Sequence, residues 1–180
     1  VGFYGDRGDE ILTEESRKGK GFLSDVCAKW EEASQVLDQM KIRVIRGRFG
    51  MVLSKEGGML GRLLPLFRWG LCGRLGSGKQ WMSWIALEDL LGALEFTLTQ
   101  DVKGVFNFTS PNPVTNAEFT RHMAKIMHHR PFLPMPAWLI KLVFGEKGKQ
   151  LFLSSTRVVP KRLLEKGFNF QKAKLEELLL

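Results

Sequence analysis

Apolar residues between positions 23 and 40 recur at Leu23, Val26, Cys27, Trp30, Leu37 and Met40, mostly three or four apart, a spacing that predicts an amphipathic helix. Ile42, Val44 and Ile45 follow as a β-branched run that reads as a strand, and Arg48-Phe49-Gly50 leads into a second apolar run, Met51-Val52-Leu53. Two glycine-rich stretches, one with Gly57-Gly58 and one from Gly70 to Gly78, read as loops. Trp81 to Ile85 is strand-like. Leu87, Leu90, Leu91, Leu94 and Leu98 then predict a helix with a leucine face, and Val105 to Phe108 predicts a further strand. Past Pro111-Asn112-Pro113, Thr115 and Glu118 have the spacing of a capping box, opening a helix whose core face is Phe119, Met123, Ile126 and Met127. Pro134 to Phe144 predicts a short apolar helix. Arg157 to Lys166 predicts another, stopped by Gly167 with Phe168 folding back, and Leu175 to Leu180 is a last amphipathic turn. Helices leading into buried strands give an α/β class.

Composition changes this picture little. The 180 residues are 44% hydrophobic and 26% charged, within the range of a globular domain. No apolar run is long enough to suggest a membrane span. Cys27 and Cys72 are isolated, without a CxxC pair, which indicates neither a disulfide framework nor a zinc site and fits a reducing compartment. His122, His128 and His129 lack the companions of a metal site, so no metal is expected. The net charge of +8 is uneven: the final third carries the whole excess. That basicity suits either a phosphate-bearing ligand or a solvated helical surface. No aromatic and basic interleaving supports nucleic-acid binding.

Gly76-Ser77-Gly78 has the glycines of a phosphate cradle, but it runs into a strand instead of opening a helix with the Lys and Ser or Thr of a P-loop, so it reads as a loop rim. Its wider context is more specific. Gly76-Ser77-Gly78-Lys79-Gln80-Trp81-Met82-Ser83-Trp84-Ile85-Ala86-Leu87-Glu88-Asp89-Leu90 is similar to the loop, strand and helix start of extended short-chain dehydrogenase/reductases. Val1-Gly2-Phe3-Tyr4-Gly5-Asp6, Arg48 to Ser54, Ser110 to Asn116 with Glu118-Phe119, and Pro160 to Phe168 resemble the atypical "epimerase family" branch.

The resemblance implies the C-terminal part of a Rossmann-like doubly wound parallel sheet plus a small, mostly helical C-terminal substrate-side domain. The expected division is 1–115 and 116–180, with the Gly-rich phosphate-binding half lying outside the chain. It implies NADP as cofactor, with NAD as the alternative, a small-molecule substrate, and a bacterial cytoplasmic or an organellar location. Phe49, Gly50, Met51 and Val52 fall where relatives meet the nicotinamide, and core packing is an equal reading of them. Tyr4 is placed at a strand end with its hydroxyl toward substrate, the one catalytic candidate, and a tyrosine that caps the strand-turn is the rival reading. Arg48, Gln80, Trp84 and Arg157 join it as substrate-side residues, and for Arg48 a buried carboxylate partner is the rival reading. Asp89 reads as a structural carboxylate at its helix start.

The departures matter too. Active relatives use Tyr with Lys four residues on as an acid/base pair. Here Phe22 or Leu23 stands in the Tyr place and Val26 or Cys27 in the Lys place, while Met82 and Ala86 replace a diphosphate-binding Arg and the following His. The resemblance therefore implies an epimerase-like oxidoreductase without the usual pair. A non-catalytic dinucleotide-binding regulator and a fragment without function of its own are the alternatives.

Overall fold

The computed structural model describes residues 1–40, 42–54, 57, 73–126, 136, 138, 142 and 153–178. The chain opens on a tight helical turn, Gly2–Tyr4, followed by strand β1 (Ile11–Leu12), helix α1 (Phe22–Ala33) and a short helix α2 (Val36–Gln39). Strands β2 (Ile45–Phe49) and β3 (Met51–Ser54) come next, then β4 (Trp81–Met82), β5 (Trp84–Ala86) and helix α3 (Leu87–Thr99). Strands β6 (Gly104–Phe108) and β7 (Val114–Thr115) precede helix α4 (Asn116–Ile126). Strand β8 (Arg157–Val158) and helix α5 (Lys161–Glu165) lead to a final turn, Leu175–Leu178.

Three strand pairs are parallel: β2 with β6, β3 with β5 and β1 with β8. Only β4 with β7 is antiparallel among the described strands. Residues 45–54 form one extended segment that changes partner at Gly50. Its amide donates to Phe108 O at 3.0 Å, and the next amide, Met51, donates to Ser83 O at 2.8 Å. A Cβ at Gly50 would lie 2.9 Å from Ser83 O, so the exchange needs a residue without a side chain.

Two apolar layers flank these strands. Ile85, Phe106 and Phe108 pack with Leu90 and Ala93 of α3 and with Leu163 of α5. On the other side Leu53, Trp84 and Ala86 pack with Phe119 and Met123 of α4 and with Leu175 and Leu178. This packing crosses the expected division at 115 and 116.

Several elements differ from their patterns. The helix from Leu23 ends at Ala33, because the Ser34 hydroxyl and amide both donate to Glu31 O, and α2 restarts beyond it. Its expected apolar face is largely open: Leu23, Trp30, Leu37 and Met40 are exposed, Trp30 by 72%. Helix α3 buries Asp89, Leu90, Ala93 and Thr97, leaving Leu87, Leu91 and Leu98 outside, so its inward face is rotated from the leucine stripe. Arg157 is on a strand rather than a helix: β8 pairs with β1, Pro160 intervenes, and the helix starts at Lys161. The capping box forms as expected, with Thr115 N donating to Glu118 Oε2 at 2.7 Å and Glu118 N to Thr115 Oγ1 at 3.2 Å. At the end of α5, Gly167 has φ 82°, its amide donates to Leu164 O and Phe168 N donates to Leu163 O, which closes that helix as the sequence predicts. Of the helix expected at 134–144 only positions 136, 138 and 142 are among the described residues, and Met127 lies outside them.

Candidate functional site

A cleft of about 350 Å³ opens beside the first turn of α1. Val1, Gly2, Gly5 and Asp6 form one wall, residues of the 20–24 segment other than Phe22 the second, and Leu153, Ser154 and Thr156 the third. Local chemistry fixes each wall. A Cβ at Gly19 would come within 1.9 Å of Tyr4 O, so only glycine lets the two loops touch there. Ser24 donates its hydroxyl to Gly2 O at 3.0 Å, which ties α1 to the opening turn. Asp6 Oδ1 accepts from Ser155 N and Gly8 N, both at 3.3 Å, and the Ser155 hydroxyl donates to Gly8 O at 2.7 Å, holding residues 153–156 against the first wall.

Leu23 and Leu153 give the cleft apolar surface, whereas Lys20, Asp6, Ser154 and Thr156 give it polar groups. The size suits a small ligand or one end of a larger one. Lys20, Ser24, Ser154 and Thr156 carried no signal in the sequence. Only the approach of three distant segments makes them neighbours.

A buried polar network is built around Tyr4, which lies in sequence between the cleft residues Gly2 and Gly5. The Tyr4 hydroxyl donates to Asn107 Oδ1 at 2.7 Å and accepts from Arg48 Nη1 at 2.9 Å. Arg48 also donates from Nε and Nη2 to the two Glu31 oxygens at 2.7 and 2.8 Å, and its guanidinium lies 3.4 Å from the Phe3 ring centre. Burial pushes the Tyr4 phenol above its ordinary pKa, against the opposing pull of Arg48, so the phenol keeps its proton at neutral pH. Burial works against the charge on Arg48, but its bonds to Glu31 and Tyr4 outweigh that cost and hold its pKa above the usual value. Glu14 Oε1 accepts from Asn107 N at 3.0 Å and Arg162 N at 3.3 Å, joining this network to α5.

The side chains expected at the site are mostly spent on this interior. Tyr4 is in a helical turn, fully buried, with its hydroxyl turned to Asn107 and Arg48. Of the two readings for Arg48, the structure contains the carboxylate pair. Gln80 is buried and donates to Leu75 O at 3.0 Å; Trp84 is fully buried with its indole N–H on Asn112 O, also at 3.0 Å. Val52 and Met51 pack against opposite apolar layers, and Gly50 serves the exchange of strand partners. Phe49 is 43% exposed and stacks on Phe108 with ring centres 5.2 Å apart. Arg48 and Phe49 line a second hollow of about 420 Å³, together with Phe3, Cys27, Trp30 and Glu31. Asp89 does not cap its own helix; its two oxygens accept from Gln171 N and Lys172 N at 2.7 and 2.9 Å. Leu23, one of the two residues standing in the Tyr place of the family pattern, faces the cleft, while Phe22 is exposed.

An epimerase family protein of Mycobacterium bovis is 42% identical over 180 residues, covering 99% of this chain and 60% of the relative. The crystal structure of the human epimerase family protein SDR39U1, solved with NADPH, superposes with a TM-score of 0.91 at 34% identity, covering 99% of this chain and 61% of that one. The chain belongs to the epimerase family of atypical short-chain dehydrogenase/reductases. Residues 135–180 match a family model described as a domain of unknown function, DUF1731. A nucleoside-diphosphate sugar epimerase from Corynebacterium glutamicum gives a TM-score of 0.80 at 35% identity, covering 99% of this chain and 35% of that one. Thermus thermophilus UDP-glucose 4-epimerase, at 16% identity and a TM-score of 0.73, shares the Rossmann-like α/β fold. This epimerase-family chain spans about 60% of the length of the Mycobacterium relative. No helix among its described residues is long and apolar enough to cross a membrane.

Proposed function

We propose that this chain is the substrate-side part of an NADP(H)-binding, epimerase-like oxidoreductase whose small-molecule substrate occupies the cleft at the start of α1. The observation that carries the reading is the likeness, over nearly the whole chain, to a relative solved with NADPH. The cleft is compatible with it. Its volume suits a cofactor ring or a small substrate rather than a whole dinucleotide, which matches a chain holding only part of the family fold. Within residues 49–52, Phe49 has the open side chain against which a flat ring can lie, and residues 50–52 contribute backbone and core. NADP is favoured over NAD because the 34%-identical relative was solved with NADPH. A bacterial cytoplasmic or an organellar setting fits relatives that include a chloroplastic protein of Arabidopsis thaliana.

When bound, the dinucleotide supplies or takes up a hydride at its nicotinamide ring. The chain's own residues have the remaining tasks. Leu23 and Leu153 exclude water, and the Ser154 and Thr156 hydroxyls, which make no hydrogen bond among the described residues, are free to meet substrate oxygens. Tyr4 is too deep and too weakly acidic to exchange the proton. That leaves Lys20 and Asp6 as the cleft groups able to carry one.

Full-length protein titrated with NADPH and with NADH, followed by nucleotide fluorescence, and then assayed against a panel of carbonyl compounds and sugar nucleotides, tests this. Saturable binding with turnover supports it. Binding without turnover selects a non-catalytic dinucleotide-binding regulator, and failure to bind either nucleotide overturns both.

A further inference from the structure

Five described arginines are at least partly withdrawn from water: Arg7, Arg46, Arg48, Arg157 and Arg162. Four spend their guanidinium on the protein. Arg7 pairs with Glu10, Arg46 with Asp38, Arg48 with Glu31, and Arg162 donates to Val105 O. Arg157 makes no hydrogen bond or ion pair from its guanidinium among the described residues. It is nevertheless held in place. Its backbone is in register with Ile11 in the β1–β8 pair, and its guanidinium lies 4.1 Å from the Trp81 ring centre. Trp81 is fixed in turn, its indole N–H donating to Asp9 Oδ1 at 2.8 Å and its backbone carbonyl accepting from Thr156 N at 3.1 Å.

A stacked guanidinium loses solvent from one face but keeps its N–H donors at the edge, oriented and unspent. Donors arranged in that way favour an oxyanion, which takes two of them at once. Thr156, next in sequence, lines the cleft. Ser155 instead donates to Gly8 O and accepts from Trp81 N. Arg157 itself is not among the residues that line the cleft. We propose that Arg157, stacked on Trp81, is an anion-binding site for a carboxylate- or phosphate-bearing molecule. Asp9 anchors the indole edge without pairing with Arg157, so the fork stays available, and its charge moderates the affinity for anions.

The site does not rest on the cofactor reading. Full-length protein is titrated with inorganic phosphate and separately with acetate at constant ionic strength, following tryptophan emission, with Trp81→Phe as the blank that isolates the Trp81 signal. A saturable Trp81 response to at least one anion is expected, with affinity weakened roughly tenfold or more in Arg157→Gln, as for loss of a charge-assisted hydrogen bond. Arg157→Lys keeps the charge but not the fork, and is expected to bind more weakly than wild type and more tightly than Arg157→Gln. Response to phosphate alone assigns a phosphate ligand, and to acetate alone a carboxylate. No saturable Trp81 signal with either anion, or an undiminished one in a folded Arg157→Gln protein, overturns the proposal. NADPH titration of the same wild-type sample separates the two readings: an anion response without NADPH binding defeats the proposed function and leaves this site standing.

Discussion

Replacing Arg48 by Met tests whether the buried network or a ligand is what this arginine serves. Arg48 is 7% exposed, Glu31 22% exposed, and two hydrogen bonds at 2.7 and 2.8 Å join them. Removing one partner of a fully buried pair costs about 3–5 kcal/mol, because the other charge is stranded. Glu31 is partly open and can turn toward water, which reduces that share to about 2 kcal/mol. Loss of the stacking on Phe3 adds about 1 kcal/mol, so Arg48→Met is expected to cost about 3 kcal/mol in all. For an m-value of about 3 kcal/mol per molar, the urea midpoint of the full-length protein falls by about 1 M. Glu31→Gln alone is expected to cost less, and the double variant to be more stable than the summed losses by at least about 1 kcal/mol. Midpoints that add without coupling, or an Arg48→Met protein as stable as wild type, would refute the assignment of Arg48 to this network.

Asp89→Ala leaves the amides of Gln171 and Lys172 without their acceptor and is expected to cost about 2–3 kcal/mol, with hydrogen exchange rising first in residues 171–178. Glu118 contributes in a pH-dependent way. Hydrogen bonds from Thr115, the backbone amide first, hold its carboxyl below the ordinary 4.5, so its contribution is complete above about pH 4.5 and is lost as pH falls through the depressed value. Glu118→Ala is expected to be about 1 kcal/mol less stable than wild type at pH 7, and the gap to close in acid urea titrations.

Local signals in the sequence were read accurately where the cause is local. The Thr115 and Glu118 spacing and the Gly167-Phe168 pair each specify hydrogen bonds within a few residues of themselves, and those bonds form. The leucine pattern at 87–98 misled about orientation because α3 turns toward the strands with Leu90, Ala93 and Thr97, small enough in part to approach closely, while Asp89 reaches the tail. Arg157 was drawn into a helix by its neighbours, and its strand partner Ile11 lies far away in the chain. The cleft was the least legible feature. Lys20, Ser24, Ser154 and Thr156 have no periodicity in common, and tertiary contact alone assembles them. Tyr4 and Arg48 stand out in the sequence by their chemistry, but their buried hydrogen bonds are to Asn107 and Glu31, which no spacing links to them.

The closing turn at Leu175–Leu178 bears on how the protein is made. Its two leucines complete the layer containing Leu53, Trp84 and Met123, while Gln171 and Lys172 occupy Asp89. During synthesis this side of the sheet must wait, its tryptophan uncovered, until residues 171–178 have cleared the ribosome. The parallel pairings, which join segments tens of residues apart, lengthen that interval. Chaperone demand on a nascent chain, and its exposure to proteases when translation stops short of this segment, should thus persist until residues 171–178 have emerged.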